Sequence, residues 1–316
     1  MTDITMHTPT PLGELAVGVD GTAESFAALE WAMQESVVTG QKVHAIYGWT
    51  HSWDLGDEPT SAEEWQRVRA IINADLRTWA DQAAEGINFD QSLLKLTSVH
   101  SAGTTALLDI GSRAHQIVVG RRTMSIVARW FLGSMSENLV YQSSTPVTVV
   151  RAVDASDSSR DQQKASVSEE LLLGSNHHLP LVVAVDGSQP SLRALDFAVE
   201  SARAEHRDIH VLYAWQTKTL SRYMEQGHAV PSVDEGQQVA QRVLATLVEQ
   251  AEIPNEISVV QHAIHAAPAK ALIDASHYSH RIIMGSRGLG KFDQHVLGSV
   301  SRKLLDCSWA PVTIVH

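Results

Sequence analysis

Residues 16–32 read AVGVDGTAESFAALEWA, and residues 182–198 read VVAVDGSQPSLRALDFA. Asp20 falls on Asp186, Gly21 on Gly187, Ser25 on Ser191 and Leu29 on Leu195, 166 residues further on (20 to 186). Tyr47 and Trp49 keep that offset to Tyr213 and Trp215. Working outward, IVVGRR at 117–122 matches IIMGSR at 282–287. Leu132-Gly133-Ser134 matches Leu297-Gly298-Ser299, now 165 residues on (133 to 298). TPVTVV at 145–150 echoes APVTIV at 310–315. An offset held over a whole unit means that a complete domain was duplicated, not a short solenoid repeat. The predicted organisation is a first domain over 1–151, a linker over 152–179 and a second domain over 180–316.

Each unit alternates short apolar runs with helical patterns, the signature of a parallel sheet with crossover helices. In the first unit the strands are Leu15–Val19, Val43–Trp49, Leu93–Val99, Gln116–Gly120 and Val147–Arg151, with helices that include Thr104–Ala114. In the second they are Leu181–Val185, Ile209–Trp215, Ile257–Ala263, Arg281–Gly285 and Val312–His316. The fold class is therefore α/β, with two tandem domains, each a five-stranded doubly wound parallel sheet. Such sheets bind ligands beyond the carboxyl ends of their strands, where the strand order reverses. The linker, rich in Ser, Asp, Gln and Glu, buries little apolar area, with Leu171–Leu173 as its only apolar cluster.

The chain has 316 residues, 24 Lys+Arg against 36 Asp+Glu, and a formal net charge of −12. That balance argues against a protein built to grip nucleic-acid phosphates or an anionic membrane. One cysteine, Cys307, excludes an internal disulfide framework and a cysteine-only zinc site. The start of the chain lacks the pattern of a signal peptide, and no apolar run reaches the roughly 18–20 residues of a membrane span. A cytoplasmic protein with no nucleic-acid or membrane partner is the expectation.

Residues 282–305, IIMGSRGLGKFDQHVLGSVSRKLL, carry the most chemistry. Gly285 closes a strand, Gly288 follows, and Gly298-Ser299 opens a helix. Glycine lets backbone amides approach an anion, and a helix N-terminus adds unpaired N–H groups and a positive dipole end. Ser299 and Ser301 add hydroxyls. A Walker A loop fits Gly285, Gly290 and Lys291, but Phe292 stands where the Mg²⁺-binding hydroxyl belongs. The dinucleotide pattern fails as well, because Gly288 and Gly290 are followed by Asp293.

Gly285-x2-Gly288-x9-Gly298-Ser299 resembles the ATP-binding motif of the universal stress protein family. Val185-Asp186-Gly187-Ser188 is similar to the end of that family's first strand, and Ala266-Ala267-Pro268-Ala269 to the turn after its third. The resemblance covers both repeats and implies flavodoxin-like, adenine nucleotide alpha hydrolase-like domains. It also implies a cofactor, ATP or another adenine nucleotide, with or without Mg²⁺. By that resemblance adenine lies near Asp186 and the backbone of Ala184, Val185 and Ala214. The phosphates then sit on Gly285 (after Met284), Gly288, Gly298, Ser299 and Val300, with Ser301 assisting. It also implies a homodimer in which Val312–His316 and Val147–Val150 pair across an interface, and leaves room for a protein partner.

The first domain keeps Asp20, Gly48, Gly120, Gly133 and Ser134, but Thr123 stands at the second glycine position. If that position needs φ > 0, a β-branched residue is strained there, at a cost of about 1–3 kcal/mol. Arg121 and Arg122 read either as phosphate contacts or as solvated loop residues. The first domain is therefore expected to bind nucleotide more weakly than the second, or not at all. Asp20 and Asp186, taken singly, also fit a turn or helix cap.

Among the 16 histidines, His262, His265, His277, His280 and the His177-His178 pair show no metal motif, and none is expected to recur in the other domain. Solvated or capping roles, and no metal, are the default. Trp49 and Trp215 read as packing residues or as a lid beside the pocket. Trp53, Trp65, Trp79 and Trp130 would give the first domain an apolar surface. No nucleophile elbow or Cys/His pair is present, so the reading is a nucleotide-binding regulator rather than an enzyme. The alternatives are a weak ATPase or nucleotidyl-transferring enzyme, and a nucleotide-free scaffold.

Overall fold

Uncharged β-branched runs make the central strands, because residues buried on both faces of a parallel sheet need not alternate with polar ones. In a computed structural model, described over residues 12–50, 59–121, 134–152, 179–217, 232–289 and 297–316, the first five strands are as follows. They are β1 (Leu15–Gly18), β2 (Val43–Trp49), β3 (Leu94–His100), β4 (Gln116–Arg121) and β5 (Val147–Arg151). The helices between them are α1 (Ala23–Thr39), α2 (Ala62–Ala83), α3 (Gly103–Ile110) and α4 (Ser134–Gln142). The second half repeats this as β6 (Leu181–Ala184), α5 (Gln189–Glu205), β7 (Ile209–Trp215), α6 (Val233–Gln250) and β8 (Val259–His265). It ends with α7 (Pro268–Ala275), β9 (Arg281–Gly285), α8 (Ser299–Cys307) and β10 (Val312–Val315).

Repeated sequence gives repeated caps. Thr22 and Ser188 each accept a hydrogen bond from the third residue on, Ser25 and Ser191, to start α1 and α5. Capping boxes start α2 (Ser61 with Glu64) and α6 (Ser232 with Glu235). Of the expected elements named above, most end within a residue of their place and two differ by more. β8 begins at Val259 rather than Ile257, because Ile257 donates its backbone N–H to Pro254 in the preceding turn. The helix expected over Thr104–Ala114 is α3 followed by a 3₁₀ turn over Gly111–Arg113.

Within each half every strand pair is parallel, in the orders β3-β2-β1-β4-β5 and β8-β7-β6-β9-β10. The order reverses between β1 and β4, and between β6 and β9, so each half has one crevice at the carboxyl ends of these strands. The halves join through β5 and β10, which run antiparallel with Val149 opposite Val312 and Thr148 opposite Thr313. One ten-stranded sheet results. The last strands thus do pair across an interface, but it lies between the two domains of one chain, not between two chains.

Equivalent positions meet across this seam, as an approximate two-fold axis demands. The Thr148 and Thr313 hydroxyls are 2.8 Å apart, and Arg281 Nη1 donates to Gln116 Oε1 at 3.0 Å. His115 stacks on Phe197 at 4.9 Å, and its repeat mate His280 lies 6.4 Å from Trp31. Where the repeats differ, charge is buried. Arg281 is 0% exposed and donates through Nη2 to Glu205 Oε1, while Arg207 lies 3.4 Å from Glu205 Oε2. From the first domain, Glu35 accepts a 2.6 Å hydrogen bond from His280 Nε2. Burial, reinforced by the neighbouring Glu35, raises Glu205 to about 8 despite the two guanidinium groups. Burial also acts against the Glu35 carboxylate, but the His280 hydrogen bond and the charges of His280, Arg281 and Arg207 outweigh it and hold Glu35 below its ordinary value.

Candidate functional site

The second-domain crevice is a cavity of about 260 Å³ between β6, β7, β9, α7 and α8. All eleven residues marked in the second domain line it: Ala184, Val185, Asp186, Ala214, Met284, Gly285, Gly288, Gly298, Ser299, Val300 and Ser301. Leu212, Pro268, Leu272, Ser191 and Arg287 complete the wall. Sequence reading missed these five. Leu212 was legible as the residue two before Ala214 on the same strand face, and Leu272 as the residue four after Pro268 on the same helix face. Arg287 sat in plain view inside the glycine loop.

The wall divides by chemistry. Ala184, Leu212, Ala214, Leu272 and Met284 make an apolar slot, while the glycines and the α8 N-terminus make a polar end. Gly298 caps α8 without any side-chain hydrogen bond, so the first-turn amides keep their donors for another partner. Ser286 carbonyl oxygen accepts from Gly298 N at 3.0 Å, and Ser301 Oγ donates to Gly285 O at 3.2 Å. Both bonds fix the helix start against the end of β9.

Asp186 makes the turn considered for it and also lines the cavity. Its Oδ1 accepts from Ser188 N at 3.0 Å, an Asx turn that leads into α5, with Gly187 at φ +82° supplying the left-handed residue. Its Oδ2 accepts from Leu289 N at 3.2 Å and so ties the glycine loop to β6. Here the explanation offered for glycine at position 288 needs correction. Gly288 is not among the residues with positive φ. A Cβ there would lie 2.3 Å from Asp186 Oδ2, so close approach of the loop to the aspartate, not backbone handedness, requires glycine. A Cβ on Gly285 would likewise stand 2.7–2.8 Å from Pro190 and the Ser191 nitrogen.

The first-domain crevice is smaller, about 180 Å³, and is lined by Asp20, Gly48 and Gly120 together with Gly18, Val19, Thr22, Glu24, Ser25, Ile46, Gly103, Leu107, Val119 and Ser136. Ser136 Oγ donates to Gly120 O at 3.1 Å, the counterpart of the Ser301 bond. Asp20 makes the same Asx turn, accepting from Thr22 N at 3.1 Å. Ser134 begins α4, while Arg122, Thr123 and Gly133 lie outside the described residues. Arg121 takes neither expected role. It is buried, and it crosses the seam to donate to the Leu305 carbonyl.

Two of these histidines, His265 and His280, do recur, against expectation, as His100 and His115. His100 stacks on Trp49 at 4.5 Å and His265 on Trp215 at 4.2 Å, in the same place in each domain. His262 points to the other face of β8, where it is hydrogen-bonded to His210 at 3.2 Å. Trp49 and Trp215 are buried packing residues, and Trp215 Nε1 donates to Gln237. Of the first-domain tryptophans, Trp79 packs edge-on against Tyr47 and Trp65 lies near His100. Trp53, Trp130 and His177-His178 lie outside the described residues.

Among the described residues one group, Glu35, Glu205 and His280, brings metal-ligand atoms within 4.8 Å of one another. Arg281 and Arg207 already face Glu205, so an added divalent ion would meet two guanidinium charges, one of them fully buried. No described helix is long and apolar enough to cross a membrane.

Comparison with known proteins agrees with the repeat. The sequence profile of the universal stress protein family matches residues 13–151 and again 179–316. A universal stress protein of Mycolicibacterium smegmatis is 28% identical over 313 residues, covering 96% of each chain. Universal stress protein Rv2005c of Mycobacterium tuberculosis is 26% identical over 320 residues, covering 98% of this chain and 99% of that one. The crystal structure of a universal stress protein from Archaeoglobus fulgidus aligns over 96% of this chain and 98% of its own with a TM-score of 0.60, at 18% identity, and so shares the fold. With a duplicated doubly wound sheet and two family matches spanning most of its length, this chain belongs to the universal stress protein family.

Proposed function

We propose that the chain is a nucleotide-responsive regulator that binds an adenine nucleotide, ATP above all, in its second domain. The observation that carries this reading is the convergence of Asp186, the three loop glycines and the uncapped α8 N-terminus on one cavity with an apolar slot beside them. At about 260 Å³ the cavity has room for the base and ribose, with the phosphates at its glycine-lined end. Arg287 lines that end and adds a cation.

The fit to Mg²⁺ is different. Among the described residues Asp186 is the only carboxylate lining the cavity, and both of its oxygens accept backbone N–H groups. Any Mg²⁺ would be held by the phosphates, and among the described residues no second carboxylate is placed to drive phosphoryl transfer. Hydrolysis would be slow and incidental. Occupancy would instead change the surface around Gly285–Ser299, which a partner reads.

The test is to denature purified protein and count released adenylates, then to titrate with ATP. About one nucleotide per chain is expected. Two would overturn the preference for the second domain, and none, with no binding on titration, would overturn the reading.

A further inference from the structure

Arg121 is the position at which the repeated glycine loops first part: the first domain reads Gly120-Arg121, the second Gly285-Ser286. Ser286 stays local, its carbonyl accepting from Gly298 N. Arg121 leaves its domain. Only 9% exposed, it donates through Nη1 to the Leu305 carbonyl, while Nη2 reaches the Ser308 carbonyl at 3.5 Å. Leu305 lies in the last turn of α8, whose terminal C=O groups lack intrahelical donors and carry the negative end of the helix dipole, and Ser308 is its C-cap. That turn has no basic residue of its own. The first domain supplies one, and at about 10 Arg121 remains charged at neutral pH even though burial lowers it.

The other end of α8 is the polar end of the second-domain cavity. The helix has nine residues, a rod of roughly 14 Å at 1.5 Å per residue, so fixing one end fixes the aim of the other. A second tie lies halfway along: Arg302 bonds Tyr141 Oη and stands 3.6 Å from Glu137, both on α4 of the first domain. Gly120, the residue next to Arg121, lines the first-domain cavity.

We propose that Arg121 is a positioning residue for the phosphate site of the second domain, holding α8 from its C-terminal end so that the Ser299–Ser301 amides stay aimed into the cavity. Phosphate affinity in one domain then depends on the placement of a strand end in the other. This inference rests on the reading that the second-domain cavity binds an adenine nucleotide.

The experiment titrates the full chain with ATP and with adenosine by calorimetry, comparing wild type, R121M and R121K. For R121M, ATP affinity is expected to fall about tenfold while adenosine affinity holds, because only the phosphates need the α8 amides. R121K, which keeps the charge but loses the two-pronged donor, is expected to lose about threefold, and it serves alone should R121M not fold. An unchanged ATP-to-adenosine ratio, or equal losses for both ligands, would overturn the proposal and leave Arg121 a purely structural residue. Wild type that binds neither ligand would instead overturn the nucleotide reading, and this inference with it.

Discussion

The two crevices share a plan but differ in their walls. Asp20 and Asp186, Ser25 and Ser191, Gly120 and Gly285, and Ser136 and Ser301 stand in matching places. Where the second domain has Ala184, Ala214 and Pro268, the first has Gly18, Gly48 and Gly103. A Cβ on Gly48 would lie 2.6 Å from Gly103 Cα, so α3 sits on β2 at a distance that Ala214 and Pro268 forbid in the second domain. In the first turn of α1, Glu24 lines the cavity at the position that Pro190 holds in α5, and adds an acidic residue to a wall that already has Asp20. The lesson is that a duplicated scaffold keeps its hydrogen-bonded turns while its ligand walls diverge, because turns are set locally and walls by contact between elements.

The largest effect is expected at the seam, where charged groups without a charged repeat mate are buried. Glu205→Ala would leave the buried Arg281 Nη2 without its hydrogen-bond acceptor, at a cost of about 3 kcal/mol in urea unfolding. Glu205→Gln separates charge from shape. Glu205 lies near 8 in the folded chain against an ordinary 4.5, so between those pH values the native state holds a proton that the unfolded state has released. Wild-type stability therefore falls as pH rises from about 4.5 to about 8. The E205Q chain should lack that slope, so the difference between the two should grow toward pH 8. Parallel curves would mean that Glu205 is ionised in the fold.

Next comes the occupied site itself. Gly288→Glu puts a Cβ 2.3 Å from Asp186 Oδ2 and a carboxylate where phosphate should lie. ATP affinity should fall at least a hundredfold, about 2.8 kcal/mol at 1.4 per decade. Binding that survives in this variant would belong to the first domain and would break the asymmetry. The smallest effect is expected from Glu24→Gln, which removes one negative charge from the first-domain crevice. A gain of roughly fivefold in second-site ATP binding, about 1 kcal/mol, would sharpen the comparison. No gain would show that the narrow Gly48–Gly103 contact, rather than charge, closes that site.

Much of this was legible in one dimension. Strands such as Val43–Trp49, Ile209–Trp215 and Arg281–Gly285, and the helix Ser299–Cys307, fall where the pattern put them, because apolar period and capping residues act over a few residues. The duplication marked which strands would correspond, and the switch-point rule marked which loops would meet. The eleven second-domain residues that line one cavity are named by the family resemblance, on the loops that this rule marked.

The sequence by itself thus determined the repeat and the doubly wound sheets, since each is encoded in local spacing and in its recurrence, and family resemblance added most of the lining of the second crevice. Only the tertiary structure decided the rest. It closed β5 on β10 within one chain and traced the need for glycine at 288 to Asp186. It also sent Arg121 to a carbonyl 184 residues away and Glu35 to a histidine 245 residues away. Such contacts depend on where separately folded elements dock, and hydrophobic periodicity carries no record of a partner so distant in the chain.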